Sequence, residues 1–269
     1  MYRFSRNVLT VTLLCASSVV LAQSQEPQLN NPDQAPQVAP PSPSSSPQDL
    51  ELRGDTLRAR KDYLDAIDYY KAAVHKNDTA ALHNKIGVSF LQMLKYGDAR
   101  REFERSVKMD SSYAEGHNNL AVTYYVNRQY GSAIKEYHRA IKLNPTSASF
   151  HSNLGSAYFS RKDFDKATRE YAKAMELDPT IFDPTPSGGV AVKLATEGDR
   201  AYFHYTIAKM YGSKGDEEHC RLYLSKANEE GYPRVRDALK DGEFAGLRKD
   251  PKFVEFVRSL KPPPLEANN

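Results

Sequence analysis

The sequence predicts an all-α fold: a solenoid of about five stacked helical hairpins finished by a C-terminal helical cap. Three observations predict it. A pattern of small and large side chains returns every 34 residues across the middle of the chain. Each period holds two amphipathic helical stretches divided by a short polar break. Weaker copies flank the clear ones on both sides, as a stack requires, because its end faces have no neighbour to cover them.

The clearest unit runs from Ala148 to Pro179. Gly155 on its first helix, with Ala167 and Ala174 on its second, falls where two helices must approach closely, and Leu154, Tyr158, Phe164 and Tyr171 fill the space around them. The break between the helices is Ser160-Arg161-Lys162-Asp163. Pro179 stops the second helix, since it lacks an amide hydrogen and restricts the residue before it. A lone helical hairpin cannot bury its apolar face on both sides, so the unit needs neighbours.

The neighbours stand in strict register. Gly155, Ala121 and Gly87 are spaced by 34, as are Ala167, Ala133 and Ala99, then Tyr171, Tyr137 and Phe103, then Ala174, Ala140 and Ser106. The aromatic of the break recurs as Phe164, Tyr130 and Tyr96. Pro179 and Pro145 close two units, and Ser111 takes that place in the other. Upstream, Gly54, Tyr63, Ala66, Tyr70 and Ala73 fit with the link one residue shorter. Downstream, Ala208, Tyr211, Cys220, Leu224 and Ala227 fit after an insertion. A helix-turn-helix of this period and alternation resembles the tetratricopeptide repeat family. The resemblance implies a right-handed α–α superhelix.

Taken in order, residues 1–22 read as a secretory signal peptide: Arg3 and Arg6 precede the apolar run from Val8 to Leu14, and Val20-Leu21-Ala22 suits a cleavage site. That run is short for a retained anchor, since spanning takes about 20 apolar residues, so no membrane span is expected after cleavage. Leu14 before Cys15 argues against a lipoprotein signal. Export implies a periplasmic or secreted protein. Cleavage lowers the formal charge from +3 to +1, which leaves no broad cationic field for a nucleic acid, and no nucleic-acid partner is expected. It also leaves Cys220 as the single thiol, so no intrachain disulfide forms.

Residues 23–48 are rich in Pro, Ser and Gln and nearly free of apolar residues, and they read as a disordered linker that cannot bury enough surface to offset its ordering entropy. Residues 49–179 hold the first four repeats and residues 200–231 a degenerate fifth. Between them, residues 180–199 form an inserted loop whose Pro184, Pro186, Gly188 and Gly189 forbid a regular helix at its start. Residues 232–261 read as the helical cap, with Pro251 suited to a helix start and Phe253, Phe256, Val257 and Leu260 spaced to bury. Residues 262–269 are a tail.

Neither motifs nor columns supply catalytic chemistry. No phosphate-cradling Gly-rich loop, HExxH or GxSxG turn is present, and no enzyme activity or cofactor is expected. His83, His117, His151 and His204 share one column, which invites a metal- or cofactor-handling alternative. Equivalent positions of stacked hairpins lie roughly 8–10 Å or more apart, whereas zinc needs its nitrogens about 2 Å from one centre. A packed role for the column is the better reading. So is a buried thiol for Cys220, despite the nearby His219 and His204.

The family resemblance implies a concave groove lined by first helices that binds a protein or an extended peptide. Carried onto this chain, the groove columns hold Asn84, Lys85, Val88 and Gln92, then Asn118, Asn119, Val122 and Tyr125, then Ser152, Asn153, Ser156 and Phe159. Asn119 and Asn153 resemble the asparagine ladder of the O-linked N-acetylglucosamine transferase repeats, which holds an extended peptide by its backbone; Lys85 interrupts that column. An amide both donates and accepts, so it pairs with backbone of any sequence. Tyr125 and Phe159 are expected to stand exposed in the groove, unless the inserted loop folds back over them as a lid. The carboxylate clamp of chaperone-binding members needs cations where this chain carries Glu51 and Asp55, so a chaperone-tail clamp is not expected.

Overall fold

The computed structural model describes residues 38–183 and 197–261. The expected signal peptide, most of the linker, most of the inserted loop and the tail lie outside the described residues. Among the described residues the structure is all helical, with no strand.

Helix starts follow local chemistry. Helix α1 (Pro47–Ala59) begins at Ser46, whose hydroxyl accepts from the Asp49 amide, and Pro47 sits where a missing N–H costs nothing. Its partner is α2 (Tyr63–Lys76). Thr79 caps α3 (Ala80–Gln92) by accepting from the Leu82 amide, and α4 (Tyr96–Met109) completes the second hairpin. Helices α5 (Ala114–Val126) and α6 (Tyr130–Leu143) form the third, α7 (Ala148–Ser160) and α8 (Phe164–Leu177) the fourth. Helix α9 (Glu197–Lys214) and the Asp216-capped α10 (Glu217–Glu229) form the fifth. Short 3-10 turns at Val235–Leu239, Gly242–Phe244 and Leu247–Lys249 lead to α11 (Pro251–Ser259).

The first helices α3, α5 and α7 touch one another in sequence, which sets them in the inner row of the stack. The second helices form the outer row.

Within a hairpin the helices meet through a glycine and an aromatic ring. A Cβ added at Gly54 or Gly87 would lie 2.5 Å from Tyr70 or Phe103, and one at Gly155 would lie 2.6 Å from Tyr171. All three rings are fully buried. Such a separation admits no side-chain carbon, so glycine here is set by close approach. At the same register Ala121 and Tyr137 are both fully buried. The fifth hairpin departs from this scheme: its Gly212 meets Phe244 of the cap, and Phe253 and Val257 of α11 are fully buried. The cap thus covers the last repeat with apolar side chains, as the spacing of α11 predicts.

The turn inside each hairpin adopts a left-handed backbone. Lys61, Leu94, Arg128 and Lys162 have φ of 69°, 59°, 59° and 66°, and Gly215 takes the equivalent place in the fifth hairpin with φ 75°. A left-handed residue with a Cβ costs about 1–2 kcal/mol, which these positions carry because the turn must reverse in so few residues. Leu94 gains nothing by burial, since it is 65% exposed.

Two stability outcomes follow from these contacts. Leu94→Gly relieves the left-handed strain without opening the core and raises stability by about 0.5–1 kcal/mol, read as a higher denaturant midpoint. The buried hydroxyls of Tyr70 and Tyr171 donate to Asp55 and Ser156, whereas the hydroxyl of Tyr137 is buried with no partner. Tyr137→Phe should therefore stabilise by about 1 kcal/mol while Tyr171→Phe destabilises by a similar amount. Equal shifts of Tm in the two variants would contradict the assignment.

Candidate functional site

The inner row carries a run of asparagine amides that crosses three repeats. Asn153 Nδ2 donates to Asn118 Oδ1 (3.0 Å), Asn118 Nδ2 to Asn119 Oδ1 (3.1 Å), and Asn119 Nδ2 to Asn84 Oδ1 (2.8 Å). Asn84 Nδ2 in turn donates to the Tyr113 hydroxyl at 3.4 Å. Each step points the same way, so the amide dipoles reinforce one another. Each amide retains a second N–H or lone pair beyond the bond it makes here. Asn119 and Asn153 are partly exposed, while Asn84 and Asn118 are buried beneath them.

A single geometric relation produces the row. The residue two before the helix-contact small residue (Gly87, Ala121 or Gly155) reaches the residue one place earlier in the preceding repeat: Asn153 to Asn118, Asn119 to Asn84. Lys85 obeys it too. Its ammonium lies 2.7 Å from Glu51 Oε1 and 2.6 Å from Asp55 Oδ2. Burial works against this ammonium, and the two carboxylates more than offset it, holding its pKa above the usual lysine value. Glu51 and Asp55, the residues on which no chaperone-tail clamp is expected, are thus the counter-ions of Lys85, which closes the N-terminal end of the row.

Other expected groove residues lie elsewhere. Tyr125 and Phe159, expected to stand exposed, are 5% and 1% exposed. Each ring lies against the aromatic that follows the break, Tyr125 on Tyr130 (5.4 Å between centroids) and Phe159 on Phe164 (5.2 Å). Phe159 also meets Tyr202 and Phe203 of α9, and the Tyr125 hydroxyl pairs with Ser160 Oγ at 2.8 Å. The next hairpin therefore covers the column that was expected to be open. Val122 is buried as well, and Ser156 is buried with its hydroxyl accepting from Tyr171 and donating to the Ser152 carbonyl. Ser152 is partly exposed on α7, Val88 is partly covered, and Gln92 is exposed at the end of α3. The structure gathers Asn84, Asn118, Asn119 and Asn153 with Lys85 at one end; it does not gather Val122, Tyr125 and Phe159 into an open surface.

The histidine column is engaged within its own repeats. His83, His117 and His151 place Nδ1 at 2.6, 2.8 and 2.7 Å from Glu102, Glu136 and Glu170 on the second helix. Their Nε2 atoms face Asp78 Oδ1 (2.7 Å), the Ser111 carbonyl (3.1 Å) and the Pro145 carbonyl (3.2 Å). His204 Nδ1 meets Glu230 at 2.7 Å; burial lowers its pKa against the opposing pull of Glu230. The column clamps each first helix to its second and to the loop before it. The glutamates recur at the same period, a signal that was present in the sequence. His219 pairs instead with Asp216 and Asp183, and burial pushes the Cys220 thiol up to about 12. No group of three or more His, Cys, Asp or Glu among the described residues is arranged to hold a metal ion.

Three family models match the chain: a tetratricopeptide repeat over residues 84–137, a TPR repeat over residues 129–160, and a tetratricopeptide repeat over residues 148–181. No curated protein matches it. Among solved structures it is similar to TTC0263, a thermophilic TPR protein in Thermus thermophilus, at 19% identity over 79% of this chain and 100% of that one, with a TM-score of 0.49. It is also similar to MamA, at 23% identity over 68% of this chain and 96% of that one, with a TM-score of 0.46. A third is YrrB, described as a TPR protein with an unusual peptide-binding site, at 17% identity over 71% and 91% of the two chains, with a TM-score of 0.46.

Proposed function

We propose that this tetratricopeptide-repeat protein is a non-catalytic scaffold that holds an extended peptide or partner loop along the inner row of its first helices. The observation that carries the reading is the directed amide run from Asn153 to Asn84. A bound backbone presents N–H and C=O groups in alternation, and an amide side chain can answer either, so the row selects extended main chain over any particular sequence. Because the amides already hold one another, they are oriented before the partner arrives, which lowers the ordering cost of binding. Lys85 with Glu51 and Asp55 adds one positive and two negative charges at the N-terminal end, favouring a partner that is not acidic there.

Asn119→Ala combined with Asn153→Ala should weaken partner capture by about 1–3 kcal/mol, because both amides pair with a desolvated backbone in the complex. Asn84 and Asn118 remain in place, so helix content should be unchanged and the melting temperature should fall only slightly. Capture of the same partners at unchanged affinity by the double variant would sink the inner-row reading.

We also propose that the chain acts outside the cytoplasm, in cell-envelope assembly or secretion, with residues 1–22 removed on export. The order of charged start, apolar run and Val20-Leu21-Ala22 supports this. Sequencing of the exported protein should begin at Gln23; an intact Met1 on protein that remains in the cytosol contradicts it.

A further inference from the structure

The outer row carries a cleft that the inner-row reading leaves unused. It lies between α4 and α6, encloses about 490 Å³, and has Val107 and Leu143 as its apolar walls. Lys108, Arg139 and Lys142 line it, and Ser111 and His117 complete the lining. The acid closest in the hydrogen-bond network is Glu136, which is buried and already receives His117 and Arg139. Exposed Asp110 turns its carboxylate to the amide and hydroxyl of Ser112. Lys108 and Lys142 have no acidic partner among the described residues.

Part of the equivalent charge is neutralised in the neighbouring repeats. One repeat earlier, the loop residue is Asp78, which takes both Arg105 (3.3 Å) and His83 (2.7 Å). In this cleft Ser112 stands in that place, so Arg139, the counterpart of Arg105, has no loop acid. One repeat later, Glu176 replaces Lys142 and pairs with Lys173 at 3.0 Å. Lys108, Arg139 and Lys142 are thus gathered, with no loop acid between them, over this cleft. A polyanion or a membrane surface would be met by cations continued along the row. A local cluster over an apolar wall fits a short acidic segment instead.

We propose that this cleft is a second docking site, on the outer face, for an acidic peptide segment that sets one apolar side chain against Val107 and Leu143 and its carboxylates on Lys108, Arg139 and Lys142. Leu143 is 40% exposed in the free protein, so an apolar anchor removes surface from water that the fold leaves open. The amide row lies on the first helices, of which His117 alone lines this cleft, and none of the four asparagines lines it.

The test is fluorescence anisotropy of the full chain with a fluorescein-labelled peptide in which one leucine is flanked by glutamates. Lys108→Gln with Lys142→Gln should weaken binding about tenfold with an unchanged melting temperature, since both lysines are exposed. A peptide with glutamine in place of glutamate should lose a similar factor, and added salt should weaken the parent more than the double variant. Asn119→Ala with Asn153→Ala should bind this peptide as the parent does, which separates the outer site from the inner-row reading. Equal affinity of the lysine variant, equal binding of the glutamine peptide, or loss of binding in the asparagine variant overturns the proposal. So does lysine-dependent binding to phosphatidylglycerol vesicles when the peptide itself fails to bind.

Discussion

The close approach of two helices within each hairpin is the constraint on which the rest of the structure depends. Gly54, Gly87 and Gly155 let Tyr70, Phe103 and Tyr171 lie where a side-chain carbon would otherwise be. With the ring seated there, the hairpin has one register, and the residues on both helices acquire fixed neighbours. The histidine column can then reach its glutamates from one helix to the other. The turn must close the same short gap, which is why it accepts a left-handed backbone at residues that do not favour it.

Stacking adds a second relation on top of this one. A first helix meets the first helix of the preceding repeat with a fixed offset, so two chemically different pairs, Lys85 with Glu51 and Asn119 with Asn84, arise from the same geometry. The inner row is thus polar by construction along its centre, with an ion pair at one end and amides through the middle. The aromatics nearly two turns further along serve a different purpose. Tyr125 and Phe159 are wedged between their own hairpin and the next, and they tie the repeats together by burial. Polar recognition and apolar cohesion are carried by separate positions on the same helix.

The outer row shows how a repeat becomes individual. Along the second helices and the loops that follow them, Asp78, Ser112 and Thr146 occupy one loop position, and His75, Lys108, Lys142 and Glu176 one helix position. These exchanges leave the core untouched and redistribute charge alone. A solenoid can therefore acquire a distinct surface between two particular repeats without any cost to packing, because the positions that vary are those that no neighbour covers.

Much of this was legible in the residues themselves. The 34-residue return of Gly155, Ala121 and Gly87, with its matching aromatic column, determined the helices, their pairing and their close contacts, because these depend on local periodicity and on the volume of single side chains. The apolar spacing of Phe253 and Val257 determined the cap for the same reason. Alignment by period places Asn119 beside Asn153, however, while the structure bonds Asn119 to Asn84 and Asn153 to Asn118. The tertiary structure decided those partners, and it decided that Tyr125 and Phe159 are covered. A column in a sequence states which positions are equivalent; only the superhelical offset between stacked hairpins brings one repeat's side chains against the next.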